Sequence, residues 1–248
     1  MAPESLSRLS AEVVACRRCP RLVEWREEAA AHPPARFNGQ HYWARPLPGW
    51  GDPNARVLLV GLAPAAHGGN RTGRLFTGDR SGDFLFASLH RAGFANQPTS
   101  TDASDGLSAR GLYIAAVVRC APPGNKPLPE ERGNCLPYLV RELRLLTQLR
   151  VIVPLGAYAW SGTLAALARL DSGLDAGLDA GLDVGLNVGL GAEPNPRPAF
   201  GHLAEAAVGR YAILGSYHPS QQNTFTGRLT PAMLDAAVAR ARELAGLD

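Results

Sequence analysis

The chain of 248 residues contains no run of 18 apolar residues, and its first ten residues carry Glu4 and no apolar block. A membrane-spanning helix needs about 20 apolar residues, and a secretory signal needs an apolar core behind basic residues. Neither is expected, so the expected location is the cytoplasm. Lysine is almost absent: of 25 basic residues only Lys126 is not arginine. Arginine's planar fork suits phosphate, and a net charge of +3 permits a nucleic-acid partner without requiring one. There is one four-cysteine set only and no Gly-x-Gly-x-x-Gly opens a helix after a strand, which argues against a redox module whose metal cluster carries electrons. Cysteine is scarce too, with four in all. In a reducing compartment four cysteines are expected to be metal ligands or free thiols rather than disulfides.

What is present reads as one domain over residues 1–248, since 46% hydrophobic residues suffice for one sizeable core. Apolar runs at 56–61, 112–118, 151–155 and 211–215 have the content of strands covered on both faces. Helical stretches lie at 82–93, 129–149 and 157–170, and Pro231 opens a last helix through 244. This alternation predicts an α/β fold, a three-layer α/β/α sandwich around a mostly parallel four-stranded sheet. Ligands of such sheets bind beyond the carboxyl ends of the strands. Residues 173–191 repeat Gly-Leu-Asp tetrapeptides. Each interior Gly costs a helix about 1 kcal/mol, so a flexible insertion without catalytic meaning is expected.

Cys16 and Cys19 form a Cys-x-x-Cys pair, whereas Cys120 ends a strand and Cys135 follows across a Pro/Gly-rich loop. Two ligands on a tight turn and two that a loop can bring together make a tetrahedral thiolate set, suited equally to zinc or an iron-sulfur cluster. Spacing does not choose between them, and unligated thiols remain an alternative.

The strand at 56–61 runs into Gly61-Leu62-Ala63-Pro64-Ala65-Ala66-His67-Gly68-Gly69-Asn70, followed by Phe76-Thr77-Gly78-Asp79. Small residues let a backbone approach a ligand, and exposed amides of such a turn can hold an anionic oxygen. Near the far end stands Ser216-Tyr217-His218-Pro219-Ser220-Gln221-Gln222-Asn223. The two segments, in this order and spacing, resemble the first and second motifs of family 5 of the uracil-DNA glycosylases, across most of the chain outside the repeat. The four cysteines resemble the ligands of the 4Fe-4S cluster shared by families 4 and 5. Where family 4 carries Glu this sequence has Leu62, and where family 4 has a uracil-reading Asn it has Ala116. No long insertion adjoins His218 and the first motif is not Gly-Glu-Gln-Pro-Gly, which speaks against the uracil-crosslinking relatives.

The resemblance implies hydrolysis of the N-glycosidic bond of uracil, hypoxanthine, xanthine and other deaminated bases in DNA, within base excision repair. A pocket without an amide to read one base edge rejects other bases less strongly. Asp79 is expected to orient water or face the sugar cation, with Asn70 assisting and His218 bonding the base oxygen on which charge develops. A helix N-cap is the plain alternative for Asp79. Phe76 is expected to stack on the extruded base, with core packing as the alternative, while Gly61, Leu62, Ala63, Pro64, Ala65, Ala116 and Asn223 line the substrate site. Ser220, Phe225 and Arg228 are expected at the DNA, Phe225 as a wedge and Arg228 on phosphate. The protein is expected to act as a monomer on uracil- or hypoxanthine-containing DNA, associated with the nucleoid when bound and with no membrane partner. The competing function is a non-catalytic nucleic-acid-binding protein holding iron-sulfur or zinc.

Overall fold

In a computed structural model, residues 4–172 and 198–247 are described; the repeat at 173–191 lies outside them. Two helices come first, α1 (Leu6–Ala15) and α2 (Pro20–Ala31), followed by the short strand β1 (Trp50–Gly51) and by β2 (Val57–Gly61). Then come α3 (Gly69–Thr72), α4 (Arg80–Arg91), β3 (Leu112–Ala116), α5 (Pro129–Leu145), β4 (Val151–Pro154) and α6 (Ala157–Ser172). The chain closes with β5 (Glu205–Val208), β6 (Tyr211–Leu214), α7 (Gln221–Phe225) and α8 (Pro231–Ala245).

The sheet runs β1-β3-β2-β4-β6-β5. Its four central strands are the four expected from the apolar runs, and they are parallel. Two short antiparallel strands, β1 and β5, are added at the edges. Neither has the apolar content of a buried strand: β5 alternates exposed and half-buried residues, as a solvated edge does.

Alternation along β2 and β3 divides the core in two. Leu58, Val60, Tyr113 and Ala115 point to the layer with Leu136, Leu139 and Val140 of α5 and Trp160 and Leu164 of α6. Val57, Leu59, Leu112 and Ile114 point to the opposite layer with Leu85, Phe86 and Leu89 of α4 and Leu234 and Val238 of α8. This is the expected three-layer sandwich. Each buried Leu or Phe contributes about 1.5–3 kcal/mol relative to exposure, so the layers fix the sheet and with it the loops at its carboxyl end. Helix α1 docks separately through Leu9 and Val13 on Tyr138 of α5, which places the Cys-x-x-Cys turn between α1 and α2 against the main body.

Candidate active site

The parallel strands end at Gly61, Ala116, Pro154 and Leu214, and the loops that follow all leave on one side of the sheet. Backbone bonds lock these loops together. The N–H groups of Val117 and Val118 donate to the carbonyls of Gly61 and Leu62, both at 3.0 Å, and the Gly156 N–H donates to the Ser216 carbonyl at 2.8 Å. Gly156 has a φ of +92°, and a Cβ there would stand 3.3 Å from His218 Cβ, so the turn after β4 backs the histidine.

Phe76 sits in the left-handed region with a φ of +54°. For a residue with a Cβ this costs about 1–2 kcal/mol, and it persists only where the surroundings over-determine it. Here they do. Arg74 Nε donates to Thr77 Oγ1 at 2.9 Å, Thr77 and Ser100 hydroxyls meet at 2.7 Å, and the Gly78 N–H reaches the Ser100 carbonyl at 2.8 Å. Arg74 also pairs with Asp105 at 2.8 Å. Burial pushes the Asp105 carboxyl up, but the Leu107 amide and Arg74 prevail and hold it down at about 2. The half-buried Phe76 ring lies over the end of β2, where a Cβ on Gly61 would stand 2.8 Å from Phe76 Cζ. Its centroid is 6.0 Å from that of His218, with the rings tilted by 36°. Only glycine at 61 leaves room for that ring.

His218 is half-buried, and burial lowers its pKa to about 4. At neutral pH its ring is therefore uncharged, a hydrogen-bonding group rather than an acid. Two residues expected at substrate or DNA also hold its turn: Ser220 Oγ accepts the Asn223 N–H at 3.3 Å, and Asn223 Nδ2 donates to the His218 carbonyl at 2.8 Å.

Asp79 caps α4, its Oδ1 accepting the Gly82 N–H at 2.9 Å. The other oxygen, Oδ2, lies against Gly68 of the first motif, so closely that a Cβ at Gly68 would overlap it. Cap and site geometry thus coexist in one carboxylate. Burial raises its pKa, opposed by the amides of Gly82 and Ser81, which makes it a stronger base than a solvated Asp. Asn70 of α3 is fully buried; its Nδ2 donates to the carbonyls of Arg26 at 3.1 Å and Ala66 at 3.3 Å, while its Oδ1 is buried without a partner. Pro64 is buried and Leu62, Ala63 and Ala65 are half-exposed, whereas Ala116 pairs with Gly61 at the end of β3 and is sealed. Beside the site Phe225 is 66% exposed, with the Arg80 guanidinium 5.2 Å from its ring, and Arg228 lies 4.9 Å from the Tyr217 ring.

One group was not singled out in the sequence. Tyr42 Oη and His67 Nδ1 meet at 3.0 Å, and Arg71 lies 4.3 Å from the Phe37 ring and donates to the carbonyls of His67 and Gly78. Burial, then the neighbouring Arg36 and Arg71 charges, lower the His67 pKa. Only His67 lies in a recognisable motif; no spacing rule pairs it with a tyrosine 25 residues away. A cleft of about 820 Å³ at the opposite end of the sheet, lined by Arg56, Arg91, Arg110 and Arg242, is unrelated to these groups. Two of its arginines are occupied at helix ends, Arg56 on the Gly246 carbonyl and Arg242 on that of Ala92.

The cysteines carry no disulfide. Cys16 ends α1, Cys19 precedes α2, Cys120 follows β3 and Cys135 lies in α5. The four are near enough to act on one another electrostatically: Cys120 feels Cys16 and Cys19, and Cys135 feels Cys120 and Cys19. Burial pushes Cys120 up to about 11 and Cys135 up to about 12, so without a bound cation these stay thiols. Asn134 Nδ2 reaches Cys19 Sγ at 3.4 Å and Arg26 Nη1 reaches Cys120 Sγ at 3.0 Å, donors of the kind that surround metal-bound thiolates. The donor set fits a thiolate-ligated group. As the side chains stand, no group of three or more His, Cys, Asp or Glu among the described residues is arranged to hold a metal ion. Among the same residues no helix is long and apolar enough to cross a membrane.

A family model described as the uracil DNA glycosylase superfamily matches residues 48–242. The chain belongs to that superfamily. Its similar relatives include a type-5 uracil-DNA glycosylase of Mycobacterium leprae, 51% identical over 244 residues, which are 98% of this chain and 97% of that protein. Another, of Mycobacterium tuberculosis, is 50% identical over 246 residues, 98% of this chain and 83% of that protein. A third, of Thermus thermophilus, is 47% identical over 237 residues, 95% of this chain and 96% of that protein. As a type-5 member of the superfamily, the chain carries Leu62, half-exposed after β2, and Ala116, sealed at the end of β3, and neither side chain can offer a hydrogen bond to a base.

Proposed function

We propose that the protein is a monofunctional DNA glycosylase that hydrolyses the N-glycosidic bond of uracil in DNA for base excision repair, accepting hypoxanthine and xanthine as well. The observations that carry this reading are the Phe76 and His218 rings, 6.0 Å apart over Gly61, and the Asp79 carboxylate lying against Gly68 of the same motif.

The reaction separates a sugar with oxocarbenium character from a base that gathers negative charge, so both charges need stabilising. Phe76, held in its strained backbone, offers a fixed ring face to a base turned out of the duplex. His218, neutral because of burial, donates a hydrogen bond to the base oxygen as charge develops there. Asp79 supplies the negative charge for the sugar cation and orients water, and Asn70, buried against the carbonyls of Arg26 and Ala66, assists by holding the first-motif loop. No covalent nucleophile is required, and the chain's single lysine, Lys126, stands instead beside the cysteine region, where its carbonyl accepts from Arg21 at 3.2 Å. With Leu62 and Ala116 the site reads shape more than polarity, which supports the wider range of deaminated bases. Exposed Phe225 fills the gap left in the stack, and Arg228 and Arg80 meet phosphates.

Cys16, Cys19, Cys120 and Cys135 would hold a 4Fe-4S cluster, with zinc as the chemical rival. The group would supply a cross-link among α1, α2, α5 and the segment after β3, and a local charge.

A duplex oligonucleotide with a single uracil, incubated with protein and then treated with alkali, tests the reading. Strand cleavage at the uracil supports it, and the same assay with hypoxanthine and xanthine tests its breadth. Binding without cleavage for every deaminated base would favour the non-catalytic alternative.

A further inference from the structure

Three arginines are deeply buried among the described residues: Arg26, Arg74 and Arg119. Arg74 pairs with Asp105, and Arg119 with Glu142. Arg26, only 1% exposed, forms no ion pair among the described residues; Glu27, which feels its charge, is bonded to Arg17, and Glu28 to His32. Its guanidinium is directed instead at the cysteines. Nη1 donates to Cys120 Sγ at 3.0 Å and to the Cys16 carbonyl at 3.5 Å, and Nε is buried with no partner at all.

A buried guanidinium with no carboxylate in hydrogen-bond contact is costly, so a fold that keeps one is expected to set an anion against it. Four thiolates around a metal centre carry net negative charge, and hydrogen bonds to their sulfurs set the properties of the centre. The other end of the same residue faces the candidate active site: the Arg26 carbonyl accepts from Asn70 Nδ2 at 3.1 Å, and Asn70 also holds the Ala66 carbonyl in the first motif.

We propose that Arg26 is the counter-cation of the cysteine centre and the positioning residue that ties it to the Asn70 loop. This rests on the reading that the four cysteines hold a metal group. It assigns to one residue, outside both motifs, the charge balance of the centre and its mechanical link to the loop.

The test uses the full-length chain and its variants Arg26→Gln, Arg26→Lys and Arg26→Met, purified without oxygen. Iron, sulfide and zinc per chain, the visible absorption, the reduction potential of any cluster, and the single-turnover excision rate on a uracil duplex are measured. Arg26→Met is expected to lose most of its metal. Arg26→Gln keeps a donor without the charge, so its cluster is expected at a more negative potential, because a missing cation disfavours the more negatively charged reduced state. Arg26→Lys is expected between wild type and Arg26→Gln. If Arg26→Met does not fold, the other two variants decide. Full metal content and an unmoved potential in Arg26→Gln and Arg26→Lys would overturn the proposal and leave the cysteine reading standing. Wild-type protein free of iron, sulfide and zinc would overturn both. A rate that falls several-fold per metal-loaded chain supports the link to Asn70, and an unchanged rate in variants whose potential moves overturns that link alone.

Discussion

Asp79→Asn separates the two roles that geometry gives Asp79. Asn is as good an N-cap as Asp, so the Gly82 N–H keeps its acceptor and α4 keeps its start. The half-buried carboxylate has a pKa raised by desolvation, so removing its charge relieves that penalty. Thermal stability should therefore be equal to wild type or slightly higher. The reaction loses its anion: a carboxylate about 4 Å from a developing positive charge, at an effective dielectric near 20, is worth about 4 kcal/mol. That is about three orders of magnitude in rate. The assay is single-turnover cleavage of a uracil duplex with enzyme in excess, beside a melting curve of the same preparation. A variant as stable as wild type and about a thousandfold slower is expected. A variant within tenfold of wild type would refute the reasoning and leave Asp79 as a helix cap only.

Gly68→Ala moves the same carboxylate without changing its chemistry. Its methyl group overlaps Asp79 Oδ2, so the carboxylate must shift; the excision rate should fall about a hundredfold and the cap weaken by about 1 kcal/mol, read by kinetics and denaturant melts. Asn70→Asp sets a carboxylate against the carbonyls of Arg26 and Ala66 in place of a donor, and a chemical-denaturation curve should show a loss of about 1–3 kcal/mol. His218 has its folded pKa, about 4, below its unfolded value near 6.5, so its contribution to stability is full above pH 6.5 and is lost as pH falls toward 4. Melts from pH 7 to pH 4 should lose part of that slope in His218→Gln, and the wild-type excision rate should be flat through neutral pH with a limb only on the acid side. Phe225→Ala, removing a side chain that is 66% exposed, should leave melting unchanged and lower excision from duplex by about tenfold, with less effect on single-stranded uracil DNA, which needs no wedge.

The four parallel strands were legible because each is buried on both faces and so must be continuously apolar, as Val57–Gly61 and Val151–Pro154 are. Helices α5, α6 and α8 were legible within a few residues from their periodicity and from Pro129 and Pro231 at their starts. The edge strands escaped because β1 has only two residues and β5 is half-solvated, so neither has to look like a strand. The repeat at 173–191 lies outside the described residues.

At the site, Gly61, Asp79 and His218 could be picked out in the chain through the resemblance of the two segments that carry them to the family's motifs, Gly61 at the end of β2 and Asp79 at the start of α4. The layers and the strand ends at which the motif residues stand follow from the amino-acid order alone, since burial pattern and local backbone demands are written residue by residue. It took the packed fold to show that one Asp79 oxygen caps a helix while the other meets Gly68, that burial keeps His218 uncharged, and that Arg26 spans from Cys120 to Asn70. Those facts are distances and desolvation between segments tens of residues apart, quantities that exist once the layers have packed and have no counterpart in local spacing.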